Sequence, residues 1–125
     1  MDISPEIPAN KNYIDDYGNG SFIICGQYYG GALIVSPSDI LPWPIIDINV
    51  ISENDIKFIL SKIPTIEFLL IGSGANIPMI PKEAVSFLLQ SGGVNIDIME
   101  TGAACRTYNV MMSEDRLVGV ALIPI

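Results

Sequence analysis

The chain has 125 residues, of which half are hydrophobic and 16% are charged. This length fits one domain, and the composition is typical of a folded chain with a buried core, which excludes an intrinsically disordered protein. Fourteen acidic residues against six basic ones give a net charge of −8 and an isoelectric point near 4.1. The charge argues against nucleic acid as a partner and disfavours an anionic membrane surface, because both are bound through lysine and arginine.

Residues 1–12 are predicted to be an N-terminal tail, since Pro5 and Pro8 interrupt an acidic stretch that lacks the basic and apolar regions of a secretory signal. Residues 13–125 are predicted to form the single domain. The apolar runs of the chain are shorter than the roughly 20 residues that a membrane-spanning helix needs. Cys25 and Cys105 are expected to be free thiols in a reducing compartment, so the expected location is the cytoplasm.

The N-terminal third predicts a β-meander. Its strands are expected at residues 13–17, 21–25 and 31–35. Gly18-Asn19-Gly20 predicts the first turn, and the glycines that follow Cys25 predict a second reversal or a bulge. Three prolines then predict an irregular segment around Trp43, whose indole we expect to fill one end of the core. Apolar positions near Trp43 are also compatible with a homodimer.

From residue 45 onward, strands and helices are predicted to alternate. Ser52 and Asp55 are typical of a helix N-terminus, and Pro64 is expected to end that helix. The further predicted elements are a strand at 67–71, a helix at 81–89, a strand at 94–99, a helix at 101–113 capped by Thr101, and a strand at 117–123 inside the sheet. This order predicts an α/β single domain with a mixed central β-sheet flanked by helices, preceded by the β-meander.

The Gly72-Ser73-Gly74 loop follows a predicted strand, where backbone N–H groups are able to hold an anion. It lacks the lysine of a phosphate-binding loop and the third glycine of a dinucleotide-binding loop. A plain strand-exit turn explains the same residues and is the preferred interpretation.

Cys105 and Arg106 stand near the start of the last predicted helix, where the helix dipole and a guanidinium both favour a thiolate. A reactive thiol is one interpretation. The other, which we favour, is a small apolar residue that lets the helix approach the sheet. The chain contains no histidine, which excludes Cys-His and Ser-His-Asp catalysis and imidazole-based zinc sites within one chain.

Helical spacing divides this segment into two sides. Ala104, Tyr108 and Met112 are predicted to form a core stripe, whereas Cys105, Arg106 and Asn109 are predicted to form a polar edge. Arg106 and Arg116 are interpreted either as ligand-binding residues or as members of ion pairs with Glu100, Glu114 or Asp115.

Three features together resemble a family of Mth domain proteins: the run AACRTYNVMMSEDR, the Gly-Ser-Gly loop and the earlier Pro42-Trp43. The family includes the mitochondrial complex I (NADH:ubiquinone oxidoreductase) assembly factor 3 and the adipogenesis-associated Mth domain-containing protein. The resemblance covers residues 13–124 and implies a three-layer fold with a mixed central sheet. It also implies a non-catalytic role, in which the protein binds a subunit of a membrane respiratory complex and lies peripherally at the inner membrane.

The resemblance also implies a shared cleft. Its residues are Gly72, Ser73, Gly74, Thr101, Cys105, Arg106, Thr107, Tyr108 and Asn109. The chain departs from the family pattern at Ser73, which replaces threonine, and at Asp115, which replaces a glycine that is free to adopt positive φ.

Two functions follow as hypotheses. The first is an assembly or interaction protein that binds a protein partner. The alternative is a small-molecule binding protein or enzyme that holds a carboxylate or phosphate in a cleft between the Gly-Ser-Gly loop and Cys105 and Arg106. No catalytic residue, metal site or cofactor is predicted.

Overall fold

The computed structural model describes residues 10–45, 47–76 and 93–125. The strands are β1 (Ile14–Gly18), β2 (Ser21–Ile24), β3 (Gln27–Gly30), β4 (Leu33–Val35), β5 (Ile40–Pro42), β6 (Phe68–Gly72), β7 (Asn95–Met99) and β8 (Val118–Leu122). The helices are α1 (Glu53–Lys62) and α2 (Thr101–Ser113), and a 3-10 turn spans Ile48–Val50. The helix predicted at residues 81–89 lies outside the described residues.

The central sheet has five strands in the order β5-β4-β8-β6-β7. Strand β4 pairs antiparallel with β5 and β8, whereas β6 pairs parallel with β7 and β8. The predicted mixed α/β sheet is therefore confirmed. Strand β8 lies in the middle and all five of its residues are buried, which explains why its sequence is a continuous apolar run.

The meander forms a second, three-stranded antiparallel sheet in the order β1-β2-β3. Strand β3, at Gln27–Gly30, was not predicted, because the sequence indicated only a turn or a bulge before residue 31. Cys25 and Gly26 form the two-residue turn, with φ of 49° and 80°. The strand predicted at 21–25 therefore ends one residue earlier, at Ile24, because Cys25 adopts the positive φ of the turn, which a non-glycine residue rarely does.

Strand β5 is a second correction, because an irregular segment was predicted around Trp43. Residues 40–42 pair with β4 at the edge of the sheet, where Pro42 is tolerated because an edge strand needs fewer backbone donors. Trp43 follows directly and is buried in the core beside α1, as predicted.

Helix α1 begins where the sequence predicts. The backbone N–H of Ser52 donates to the Asp55 carboxylate over 2.8 Å, and the helix ends at Lys62, two residues before Pro64. Its apolar face, which includes Ile56 and Ile59, packs against one face of the central sheet.

Helix α2 and the meander cover the other face of the central sheet. The core on this side combines Ile14, Phe22 and Ile24 of the meander with buried residues of α2 and of strands β4, β6 and β8. The central sheet therefore separates two cores, and α2 lies between that sheet and the meander. Among the described helices, none is long and apolar enough to cross a membrane.

Candidate functional site

The buried face of α2 is wider than the predicted core stripe. Ala104, Tyr108 and Met112 are fully buried, which confirms the stripe. Cys105 is only 1% exposed and belongs to the same core, so its predicted place on the polar edge is wrong. Helical periodicity predicts the centre of a buried stripe, but the width of the stripe depends on what packs against the helix. Here the meander also packs against α2, so the row of side chains that contains Cys105 is buried as well.

Burial determines the chemistry of the Cys105 thiol. It raises the pKa of Cys105 from 9.0 to about 12, although the neighbouring Arg106 guanidinium acts in the opposite direction. Burial likewise raises the pKa of the Tyr108 hydroxyl, which donates to the Asn12 carbonyl over 2.8 Å. Both groups are therefore protonated at neutral pH, and the structure gives no support to an activated thiolate.

The Gly-Ser-Gly loop meets the start of α2 through a closed set of hydrogen bonds. The Ser73 N–H donates to the Met99 carbonyl over 2.8 Å, and the Gly74 N–H donates to Thr101 Oγ1 over 2.8 Å. The Thr101 N–H in turn donates to the Gly74 carbonyl over 2.9 Å. The two loop donors that an anion would need are already used within the protein.

Thr101 is the first residue of α2 and not its N-cap, which is Glu100. Its hydroxyl accepts from Gly74 and donates to the Ile123 carbonyl over 2.6 Å, so one side chain joins the exit of β6, the start of α2 and the end of β8. The predicted helix start is correct within one residue, but the predicted capping role of Thr101 is wrong because its oxygen faces the sheet.

Gly72 permits this close approach. A Cβ atom at Gly72 would lie 2.9 Å from Leu122 Cδ2 and 3.1 Å from Thr101 Cα, so a side chain there would push these neighbours apart. Close packing therefore explains the first glycine of the loop without a ligand. This agrees with the interpretation of Gly72-Ser73-Gly74 as a plain strand-exit turn.

Asn109 binds the meander through its side-chain amide. Its Oδ1 accepts from the Ile14 N–H over 2.9 Å, and its Nδ2 donates to the Ile14 carbonyl over 2.8 Å. The amide thus satisfies both backbone groups of Ile14, as a neighbouring strand would.

Arg106 contacts the meander one turn earlier on α2. Its Nη1 donates to the Tyr17 hydroxyl over 2.8 Å, and its Nη2 lies 3.8 Å from the Glu100 carboxylate. The Tyr17 hydroxyl rests on Gly102, where a Cβ atom would lie only 2.6 Å from it. The Arg106 side chain remains 64% exposed, so its ion pair with Glu100 contributes little stability.

The C-terminal end of α2 contains the other predicted arginine. Arg116 Nε lies 3.4 Å from the Glu114 carboxylate, and its guanidinium lies over the Phe68 ring. Asp115 adopts φ of 61° and pairs with Lys11. The structural ion pairs that the sequence analysis kept as one alternative are therefore present for both arginines.

The nine residues of the implied cleft thus have different environments. Ser73, Thr101, Cys105 and Tyr108 are buried, Thr107 and Asn109 are half-buried, and Arg106 is exposed. That they form one ligand-binding cleft stays a prediction. Among the described residues, no group of three acidic, cysteine or histidine side chains is placed to hold a metal ion.

Sequence analysis missed three partners of α2, namely Ile14 and Tyr17 in the meander and Asn12 just before it. One signal was available: Gly102 stands in the first turn of a helix, where glycine is unfavourable unless something approaches closely. The pairing of Asn109 with Ile14 had no comparable signal, because it joins segments 95 residues apart.

The sequence matches the family described as a protein of unknown function (DUF498/DUF598) over residues 14–123. An uncharacterized protein of Rhodobacter capsulatus is 36% identical over 111 residues, which are 89% of this chain and 83% of that protein. NADH dehydrogenase (ubiquinone) 1 alpha subcomplex assembly factor 3 is 31% identical in Xenopus tropicalis and 28% identical in Homo sapiens. These two matches cover 93% of this chain but only 63% and 62% of the assembly factors, so the chain spans less than two thirds of their length.

Solved structures have the same fold. A crystal structure described as an outer membrane protein from Bartonella henselae has 36% identity and a TM-score of 0.77, covering 92% of this chain and 96% of that one. A solution structure from Bordetella pertussis, described as an Mth938-like domain, has 26% identity and a TM-score of 0.77, covering 99% of this chain and 92% of that one. The chain therefore belongs to the DUF498/DUF598 family of Mth938-like domains, among whose relatives are proteins named as NADH dehydrogenase assembly factors.

Proposed function

We propose that the protein is a non-catalytic assembly factor that acts by binding a protein partner. The proposal rests on one observation: the polar side chains of α2 that were candidates for a site form hydrogen bonds with other parts of the chain. Arg106, Tyr108 and Asn109 each bond to the segment from Asn12 to Tyr17. Tyr108 is buried and Asn109 is half-buried, and their polar groups are already bonded within the protein, so these two side chains are not free to act on a substrate.

The relatives support the class of partner. Proteins named as assembly factors of NADH dehydrogenase share this domain along 93% of the present chain. We therefore propose that the partner is a subunit or an assembly intermediate of a membrane respiratory complex. The proposed place of action is the cytoplasmic face of the inner membrane, to which the protein would be bound peripherally through that partner.

Exposed apolar side chains on the described surface support binding through protein contacts. Tyr28, Val50, Val110 and Leu117 are each about half exposed or more, although large apolar side chains are favoured inside. They lie on different elements, so their exposure is compatible with more than one contact surface.

Affinity capture tests the proposal. The tagged full chain is used to capture binding partners from a native extract, and the captured proteins are quantified against the tagged chain. We expect a protein of the respiratory NADH dehydrogenase at near-stoichiometric yield. An unrelated acidic protein with the same tag is the control, because a net charge of −8 attracts basic proteins without specificity.

Two outcomes would count against the proposal. One is the absence of any reproducible partner from extracts in which the respiratory complex is being assembled. The other is a turnover activity of the purified chain that is lost when Arg106 is replaced by glutamine while the free energy of unfolding stays unchanged.

A further inference from the structure

The outer edge of the three-stranded sheet is formed by β3. Within the described residues the strand order is β1-β2-β3, and no strand pairs with the far side of β3. The strand contains Gln27, Tyr28, Tyr29 and Gly30 and has no proline or charged residue. Such an edge offers unpaired backbone groups to a further strand.

The backbone groups that face outward are identified by the register. Residues of an antiparallel strand point their N–H and C=O alternately toward one neighbour and the other. The Gly31 N–H donates to the Gly20 carbonyl over 3.1 Å, so Gly31 and, two residues earlier, Tyr29 face β2. The N–H and C=O groups of Tyr28 and Gly30 therefore point away from the sheet.

The other three sheet edges in the described part of the chain are protected. Strand β5 ends in Pro42, and β7 carries the exposed Asp97. Strand β1 is irregular between Ile14 and Asp16, and the Ile14 backbone is already bound by Asn109. Proline, an edge charge and a bulge are three of the devices against strand addition, and the four-residue strand β3 has none of these three.

The exposed side chain on β3 offers a contact surface beside these backbone groups. Tyr28 is 70% exposed, and its ring lies along the strand over Gly30, with its hydroxyl 3.5 Å from where a Cβ atom would stand. An exposed tyrosine ring packs against apolar side chains and against cations.

Charge indicates which chain would bind there. Four of the basic residues, Lys11, Lys57, Arg106 and Arg116, are in ion pairs, while acidic residues outnumber basic ones by fourteen to six. The Asp15 carboxylate accepts from the Gly26 N–H over 2.9 Å and so lies at one end of β3. A second copy of the chain would bring a further net charge of −8, whereas a basic segment would be attracted.

We propose that the outer edge of β3 binds an extended, positively charged segment of the protein partner as an added strand. The segment pairs with the backbone of Tyr28 and Gly30, and its basic side chains lie near the Tyr28 ring and Asp15. This inference rests on the proposed function, because it names the surface and the kind of segment by which the partner is held.

A pair of substitutions isolates the backbone contact. Tyr28→Pro removes the outward N–H and places a ring in the path of an added strand, without removing a hydrogen bond to β2. Tyr28→Ala removes the same aromatic side chain and keeps the N–H, so it is the matched control. The probe is a synthetic peptide that alternates lysine with valine, and a peptide with glutamate in place of lysine controls for charge.

The full chain, labelled with ¹⁵N, is titrated with each peptide. We expect the lysine peptide to slow amide hydrogen exchange at Tyr28 and Gly30 and to bind Tyr28→Pro about tenfold more weakly than Tyr28→Ala. The glutamate peptide should bind more weakly than the lysine peptide, and added salt should reduce the difference. If Tyr28→Pro fails to fold, the exchange rates at Tyr28 and Gly30 of the unsubstituted chain decide the question.

Equal binding of the lysine peptide to the two variants, or slowed exchange only at other residues, would overturn the inference. So would a concentration-dependent dimer that Tyr28→Pro abolishes, because it would assign the edge to a second copy. A natural partner that is captured equally by both variants would overturn the inference and leave the proposed function intact. Failure of the unsubstituted chain to capture any partner would instead remove the proposed function on which the inference rests.

Discussion

A single side chain, Asn109, completes the hydrogen bonding of the first strand. Its amide satisfies the N–H and the C=O of Ile14 together. An aliphatic replacement would leave both groups without a partner in a partly buried position, and such groups cost more free energy than a hydrogen bond contributes. Asn109 is therefore a structural residue, although its type and position are also compatible with a ligand site.

Asn109→Leu is expected to lower the free energy of unfolding by about 2–3 kcal/mol, measured by urea denaturation. The matched control is Thr107→Ala on the same helix, where Thr107 is half-buried, with an expected change within about 0.5 kcal/mol. Similar values for the two variants would show that the Ile14 backbone finds other partners.

Cys105 gives the stability of the protein a dependence on alkaline pH. The pKa of its thiol is 9.0 when the side chain is exposed to water, as in the unfolded chain, and about 12 in the folded protein. Between these values the unfolded chain releases a proton that the folded protein retains, so stability falls as pH rises. Below pH 9 both states keep the proton and the residue contributes no pH dependence.

We expect the free energy of unfolding to fall by about 1.4 kcal/mol per pH unit above the pKa of the unfolded thiol, measured by urea denaturation. Cys105→Ala should remove this slope between pH 9 and 10, and Cys25→Ser is the matched control because Cys25 lies exposed on the surface. A slope that persists in Cys105→Ala would assign the effect to another group.

At the scale of elements, the end of α2 shows a backbone constraint that glycine normally satisfies. The Asp115 N–H donates to the Met112 carbonyl and the Arg116 N–H donates to the Met111 carbonyl, which is the Schellman arrangement. Asp115 occupies its left-handed position with φ of 61°. The Asp115 side chain is 82% exposed, so its ion pair with Lys11 offsets little of the backbone cost.

Asp115→Gly is expected to raise the free energy of unfolding by about 0.5–1 kcal/mol, measured by thermal and urea denaturation, because glycine adopts this conformation without strain. Asp115→Asn is the control, since asparagine also tolerates the left-handed region and only the charge is lost. A less stable Asp115→Gly variant would mean that the Lys11 ion pair outweighs the relief of backbone strain.

The elements differ in how far their sequences predicted them. Helix α1 was predictable because Ser52, Asp55 and Pro64 mark its ends locally, and β8 because its position inside the sheet requires apolar residues on both faces. Strand β3 was not, since Cys25 occupies a turn position that glycine or asparagine usually fills. The roles of Thr101 and Cys105 were hidden for another reason, because they depend on chain segments that are distant in sequence.

At the scale of the molecule, the two sheets share one core through α2. Ile14, Phe22 and Ile24 of the meander belong to the same buried cluster as Cys105. We therefore expect the meander and the central sheet to unfold as one unit, since separating them would expose this cluster to water.

Labelling of Cys105 in a Cys25→Ser background tests this cooperativity. The rate of reaction with a thiol reagent should increase with urea with the same slope as global unfolding, because only the unfolded chain exposes the thiol. Labelling that is already rapid without urea and depends weakly on it would show that the meander separates from α2 while the rest stays folded.

The Thr101 hydroxyl has a consequence for the end of the sheet where the parallel strands stop. Parallel strands commonly end at an opening where α/β proteins bind their ligands. Here that position is filled by three chain segments joined at one oxygen atom, which receives the Gly74 N–H and binds the Ile123 carbonyl. Replacement of Thr101 by a residue without a hydroxyl would release the Gly74 N–H and the Ile123 carbonyl together, so both of these hydrogen bonds between the three segments depend on one side chain.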